Sequence, residues 1–274
     1  MTAVTAPAQI DPASISEHTP VSEAVGDALA VARRNLIALF RVPTTLVFST
    51  IQPVIFVLMF RYVFGGAIRP PANGVRYVDY LMAGIFVQTV TFGSINTGIG
   101  LATDLQTGLI ERFRSLPMAR SAVLAGRTLA DVVRNLFVIV LMVIVGFLVG
   151  FRVHTGVLPF LASIVLMLVF GLAMSWVMAL IGLRTRNAEA AQAASFPLMA
   201  LLVFASSAFV PTFSMPGPLR AYADHQPVTA TLNAVRALNN GGPTASRVVV
   251  ALLWCVAITA VFAALAVRLY RRSA

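Results

Sequence analysis

Long apolar runs alternate with short polar stretches along most of this chain. A helix needs about 20 mostly apolar residues to cross the roughly 30 Å of hydrocarbon in a bilayer. Six segments meet or approach that length, and we interpret them as membrane spans: residues 42–64, 80–101, 132–151, 157–183, 190–210 and 248–267. The pattern therefore predicts an all-α membrane protein with six transmembrane helices.

The third of these spans has the least distinct start, because its unbroken apolar part covers only residues 136–151. We expect the helix to begin a turn before this part, with Asp131 and Arg134 at the membrane interface, where an arginine can extend its charge toward the headgroups.

A different periodicity precedes the first span, in the stretch "EAVGDALAVARRNLIALFR". Its apolar residues recur at helical spacing and its arginines lie largely on other faces, which predicts an amphipathic interfacial (elbow) helix over residues 21–43 on the inner leaflet. A soluble amphipathic helix packed on another domain is the alternative. Residues 1–20 lack the charged start and apolar core of a signal peptide, and we interpret them as a disordered cytoplasmic tail. Residues 44–272 then form the six-span domain.

Composition and charge agree with this interpretation. The chain is 58% hydrophobic and 11% charged, with a mean hydropathy of +0.87, which places it among polytopic membrane proteins. Its net charge of +10 would indicate nucleic acid binding in a soluble protein, but the arginines lie mostly between apolar runs, so we expect no nucleic acid partner. With the N-terminus inside, 13 arginines are cytoplasmic and 7 are outside. This bias predicts a multi-pass protein of the cell membrane with both termini in the cytoplasm.

The residues of familiar catalytic and metal sites are sparse. Cys255 is the lone cysteine and the histidines are far apart in the topology, so we expect no metal site. No predicted span has an acidic residue near its middle, whereas ion-coupled transporters usually hold ionisable groups at that depth. The chain also lacks the G-x-x-x-x-G-K-[ST] phosphate loop, so we expect no catalytic residues and no ATPase site of its own.

A few polar side chains inside the spans are candidates for a translocation path, namely Gln52, Gln88 and Asn96. Hydrogen bonding between helices is the alternative role for these amides. The outer loop, residues 211–247, contains five prolines and two short helical patterns. These pieces either cap an exit path or form an ordinary ordered loop.

The most charged part of the chain is residues 103–127, which we name the coupling segment. Within "GLIERFRSLPMARSAVLAGR", Leu109 and Phe113 share a face of a short amphipathic helix that Pro117 ends. Such a segment suits docking into a groove on a soluble partner. A connecting loop whose arginines only set the topology is the alternative.

The elbow helix, the six spans, the coupling segment and "HQPVTATLNAVRALNNGG" before the last span together resemble the ABC type-2 permease family, especially its daunorubicin-resistance-like drug exporters. The resemblance covers about residues 23–272 and implies the ABC type-2 exporter permease fold. It also implies that the coupling segment docks on a separate ATP-binding cassette ATPase subunit. The docking residues it implies are Leu109, Glu111, Arg112, Phe113, Arg114, Leu116 and Pro117.

By the same resemblance, ATP and Mg²⁺ would bind the partner subunit, and a second permease chain, identical or paralogous, would complete the unit in the bilayer. The function implied is outward movement of an amphipathic drug-like or antibiotic-like molecule. The alternatives are export of a cell-envelope lipid or glycolipid, an intramembrane enzyme, and an anchor that transports nothing.

Overall fold

Helices form the framework of the protein. The computed structural model describes residues 33, 37, 43–65, 75–108 and 120–272, and no β-strand occurs in this part of the chain. The helices in chain order are α1 (Pro43–Leu58), α2 (Tyr77–Gly93), α3 (Ile95–Gln106), α4 (Arg120–Val149), α5 (Val157–Thr185), α6 (Ala188–Phe204), α7 (Gly217–His225), α8 (Pro227–Asn240) and α9 (Thr244–Arg272). A π-helical turn, Met59–Val63, continues α1, and a 3-10 turn, Thr212–Ser214, precedes α7. The predicted all-helical class is confirmed.

Two of the predicted segments lie outside the described residues for the most part. The tail over residues 1–20 is one, and the elbow helix over residues 21–43, of which only residues 33, 37 and 43 are described, is the other. Both remain predictions.

Four helical stretches in the described part of the chain are long and apolar enough to cross a membrane: Tyr77–Gln106, Gly126–Val149, Val157–Thr185 and Thr244–Tyr270. The protein is therefore a multi-pass membrane protein. The predicted first and fifth spans correspond to shorter apolar helices, Ile51–Val63 and Ala188–Phe204. The count of six spans thus remains a prediction.

Two span boundaries differ from those that the apolar runs predict. The second span starts at Tyr77 and is interrupted at Ser94, whose backbone N–H bonds to carbonyls of α2 while Ile95 starts α3. The helix of the third span already includes Arg120, well before residue 132, and no proline interrupts the sequence from there to Val149. Helical structure therefore extends past the hydrophobic runs that reveal it.

The broken second span, α2 followed by α3, lies at the centre of the molecule, where 89% of its most apolar window is buried. It packs against α4, α5 and α6, and α5 in turn contacts α8 and α9. A Cβ atom at Gly182 would lie 2.2 Å from the carbonyl oxygen of Gly98, so the backbones of α3 and α5 are in direct contact there. Small residues allow this close approach between membrane helices.

Phenylalanines join α1 to the end of α6. Phe60 stacks on Phe209 with ring centroids 4.4 Å apart, and Phe56 contacts both Phe204 and Phe209.

The last helix, α9, is much less buried than the broken second span, since only 17% of its most apolar stretch is buried. The outward face of α9 is thus apolar and available to lipid or to another chain.

Candidate functional site

The seven predicted docking residues, Leu109 to Pro117, lie outside the described residues, so their role remains a prediction. The structure does describe both flanks of the coupling segment, the end of α3 and the start of α4. Arg127 Nη1 on α4 donates to Asp104 Oδ2 on α3 at 2.6 Å, and the two side chains are 19% and 16% exposed. This ion pair holds the two flanks of the coupling segment together.

A second polar network lies further along the same two helices, where the second span is interrupted. Asp131 accepts a hydrogen bond from Thr97 Oγ1, and its other oxygen lies 3.2 Å from Arg134 Nη1. Arg134 Nη2 donates to the carbonyl oxygen of Gly93. Asp131 and Arg134 are each 8% exposed, so they are enclosed by protein and not extended toward headgroups as expected. The Arg134 side chain bonds within the bundle because the interruption at Ser94 leaves a backbone carbonyl, that of Gly93, which needs a hydrogen-bond donor.

The three polar residues proposed for a translocation path do not share one environment. Gln52 and Asn96 are exposed, and Asn96 Nδ2 donates to the carbonyl oxygen of Gly93 at 3.2 Å. Gln88 is 3% exposed inside the bundle, and its Oε1 atom has no hydrogen-bond partner among the described residues. A role for them in translocation stays a prediction.

The opposite end of the bundle, where α2 begins, contains a pocket of about 330 Å³. Small-molecule sites usually start at about this size. The wall comes from the start of α2, the segment after α6, the 3-10 turn, α8 and the start of α9. Its residues are Val75, Tyr80, Ser207, Pro211, Thr212, Phe213, Asn233, Arg236, Asn240, Gly241 and Arg247.

Arg236 on α8 lies buried at the bottom of this pocket. Its Nη2 donates to the carbonyl oxygen of Ser207 at 2.6 Å and its Nη1 donates to Ser207 Oγ at 3.0 Å. The guanidinium carbon lies 3.6 Å from the centroid of the Tyr80 ring, a cation–π contact. Arg236 thus joins α2, α8 and the segment after α6.

Burial lowers the pKa of Arg236 to about 10, and the positive charge of Arg247 lowers the pKa in the same direction. The guanidinium nevertheless stays protonated at neutral pH. The pocket therefore carries a permanent positive charge at its base.

A buried carboxylate lies near this pocket but is already paired. Asp79 on α2 is fully buried and accepts from Arg76 Nε at 3.1 Å and from the backbone N–H of Arg152 at 2.9 Å. His154 Nε2 lies 3.0 Å from the same carboxylate. These contacts fix the turn between α4 and α5 against α2. His154 thus pairs with Asp79, and no group of three or more His, Cys, Asp or Glu in the described ranges could hold a metal.

The sequence of this chain matches the family model of the ABC-2 type transporter over residues 27–239. The chain belongs to the ABC-2 type transporter family. The resemblance stated from the sequence is confirmed.

Relatives of this ABC-2 chain are similar over most of its length. It is 35% identical over 260 residues to the daunorubicin resistance ABC transporter permease protein DrrB1 of Streptomyces coeruleorubidus, which covers 94% of this chain and 90% of the relative. It is 27% identical to the probable doxorubicin resistance ABC transporter permease protein DrrC of Mycobacterium tuberculosis, with 91% and 90% covered. For the putative transport permease ycf38 of Porphyra purpurea the identity is 25%, with 78% and 74% covered.

Sequence reasoning missed the polar contacts that organise both ends of this ABC-2 chain. Asp131 and Arg134 are three residues apart on one helix face, and that spacing was the available signal for their pairing. Arg236 was counted only as a charge in the outer loop. Its partners Tyr80 and Ser207 are distant in sequence, so no local pattern could have indicated them.

Proposed function

We propose that this chain is the membrane-spanning permease subunit of an ATP-binding cassette exporter. It moves an amphipathic drug-like or antibiotic-like molecule outward, using ATP hydrolysed by a separate subunit that binds ATP and Mg²⁺. The observation that carries the proposal is 35% identity, over nearly the whole chain, to a permease named for daunorubicin resistance. The long apolar helices agree with such a subunit.

The proposed topology is the one expected from the arginine distribution, with six spans, a preceding elbow helix and both termini in the cytoplasm. The protein lies in the plasma membrane of the cell. The coupling segment then faces the cytoplasm and the pocket around Arg236 faces outward. Two permease chains, identical or paralogous, form the working unit with two ATPase chains. The exposed apolar face of α9 offers a surface for lipid or for the second permease chain.

Coupling would pass from the ATPase through the coupling segment to α3 and α4. A ligand-driven change in the ATPase pair shifts the membrane helices only if two arrangements of these helices differ in their contact energy with the ATPase pair. The Asp104–Arg127 ion pair supports this route, since it ties the two flanks of the segment into one unit that can move together.

Export of a cell-envelope lipid or glycolipid is the second candidate. The observation that favours it is the pocket wall, which contains two arginines and no acidic residue. Such a wall suits the anionic headgroup of a lipid better than it suits a cationic drug.

The test is ATP hydrolysis by the permease co-purified with its ATPase in lipid, measured over a panel of amphipathic drugs and envelope lipids. We expect Phe113→Ala and Arg114→Glu to abolish substrate-stimulated hydrolysis while the complex still assembles. Leu158→Ala and Arg220→Glu are matched controls, because both side chains are exposed at the opposite end of the bundle. Stimulation that persists unchanged in Phe113→Ala and Arg114→Glu would show that the segment is only a connecting loop.

A further inference from the structure

The pocket at the α2 end has an unusual charge balance. Arg236 and Arg247 both line it, and its wall contains no Asp or Glu. The two acidic side chains described at this end are paired elsewhere, Asp79 with Arg76 and Asp224 with Arg220. The two arginine charges in the pocket therefore have no carboxylate partner among the described residues.

The carbonyl oxygens around Arg236 lower the cost of burying its charge, but they do not neutralise it. Its Nη1 atom donates one hydrogen bond within the described residues, to Ser207 Oγ, which leaves a second N–H for an acceptor in the pocket. A buried cation inside low-dielectric walls creates a positive potential that extends into the adjoining cavity. An anion entering the cavity would gain from that potential.

Arg247 differs from Arg236 in its exposure and its contacts. It is exposed at the start of α9 and makes no hydrogen bond or ion pair with any described residue. Its guanidinium can therefore turn toward a ligand without breaking a contact. The neighbouring amide of Asn233, half-buried in the same wall, also has no hydrogen-bond partner among the described residues.

The remaining wall combines apolar and aromatic residues with the polar side chains of Ser207, Thr212 and Asn240. Phe213, on the 3-10 turn, is 58% exposed and lines the pocket together with Tyr80 and Pro211. A volume of about 330 Å³ holds a headgroup or one part of a larger molecule. The arrangement thus combines a site for negative charge with a surface for an attached apolar group.

We propose that this pocket binds the anionic oxygen group, a phosphate or a carboxylate, of an amphipathic molecule. Arg247 reaches the anion from the rim, Arg236 supplies charge and one N–H from the base, and Phe213 contacts the apolar part. The assignment of this pocket to the outward end of an export path rests on the proposed function. Binding itself does not, since it requires neither ATP nor the ATPase.

The proposal is tested by titrating the full-length permease, in nanodiscs of zwitterionic lipid without nucleotide, with hexyl phosphate, inorganic phosphate and hexyltrimethylammonium. We expect hexyl phosphate to bind and the other two to bind more weakly by tenfold or more. Arg247→Gln should weaken hexyl phosphate by roughly tenfold, which corresponds to one charge-assisted hydrogen bond. The near-isosteric Asn233→Asp should abolish hexyl phosphate binding, because it places a carboxylate in the pocket.

Arg220→Gln is the matched control, because Arg220 lies on α7 at the same end and outside the pocket wall, and we expect it to bind hexyl phosphate as the wild type does. Equal affinity of the wild type, Arg247→Gln and Asn233→Asp, or a preference for hexyltrimethylammonium, would overturn the proposal. Tight binding of inorganic phosphate alone would overturn the amphipathic part of it.

Nanodiscs that contain phosphatidylglycerol identify the source of the anion. If phosphatidylglycerol competes with hexyl phosphate, the site binds lipid headgroups. If the affinity for hexyl phosphate is unchanged, the site binds a soluble or exported anion. Both results agree with an anion site in this pocket. A permease without this binding could still show ATPase stimulation by drugs, so failure here leaves the proposed export function standing.

Discussion

The ion pair between Asp104 and Arg127 gives the sharpest test of how the coupling segment is held. Its atoms are 2.6 Å apart and both side chains are mostly buried, at 16% and 19% exposure. Exposed ion pairs contribute about 0–1 kcal/mol, and removal of one partner from a fully buried pair costs about 3–5 kcal/mol. We therefore expect an interaction energy of about 1–3 kcal/mol for this partly buried pair.

The measurement is a double-mutant cycle with Asp104→Asn, Arg127→Gln and the double variant. The free energy of unfolding is obtained by titrating SDS into mixed micelles of the purified permease. The cycle subtracts the other contacts that each side chain makes and leaves the pairwise part. In the complex with the ATPase, each single variant should also reduce substrate-stimulated ATP hydrolysis, because the flanks of the coupling segment are no longer held together.

Gly100 offers a variant that changes no charge. A Cβ atom there would lie 1.4 Å from Arg127 Nη2, so the guanidinium passes directly over the bare backbone of Gly100. Gly100→Ala should push the guanidinium away and reproduce the effect of Arg127→Gln on ATP hydrolysis. Gly217→Ala is the control, since a Cβ atom at Gly217 meets nothing within 4 Å. An interaction energy below about 0.5 kcal/mol, or a Gly100→Ala variant that behaves like Gly217→Ala, would refute this reasoning.

Two further predictions concern contacts within the bundle. Gly182→Ala should destabilise the permease by about 2 kcal/mol or more, because the added Cβ meets the backbone of Gly98 and forces α3 and α5 apart; a thermal melt of the purified permease checks this, and a midpoint equal to wild type would contradict it. Arg134→Gln should speed amide hydrogen exchange near Ser94 by roughly tenfold, the equivalent of about 1.4 kcal/mol, since the carbonyl of Gly93 loses a charged donor. Exchange unchanged from wild type would show that Arg134 does not stabilise the interruption.

The sequence predicted best those features that depend on neighbouring residues. The runs over residues 157–183 and 248–267 correspond to α5, Val157–Thr185, and α9, Thr244–Arg272. Hydrophobic length along the chain is sufficient to reveal such helices. The same criterion missed the interruption at Ser94, because most of the surrounding residues are apolar or small and the hydrophobic run continues on both sides.

The candidate sites were predicted less completely than the helices. The coupling segment and the outer loop were recognised as special from their charge and their prolines, which are local signals. The positive charge of the pocket was not predicted. Arg236 belongs to the predicted outer loop, and only the packing of α8 against α2 places it in the pocket. The amides Gln52, Gln88 and Asn96 were grouped only because each is polar within an apolar run, and packing places one of them inside and two at the surface.

That this chain is a multi-pass, all-helical membrane protein of the ABC-2 type follows from its sequence alone, because apolar length and a long family match are properties of the chain read in order. Which charges are paired and which are not depends on how the helices pack. Asp104 meets Arg127, Thr97 meets Asp131, and Arg236 meets the backbone of Tyr80, 156 residues away. The reason is physical: a buried charge must find its partner wherever helix packing places one, and packing brings together residues that the sequence keeps far apart.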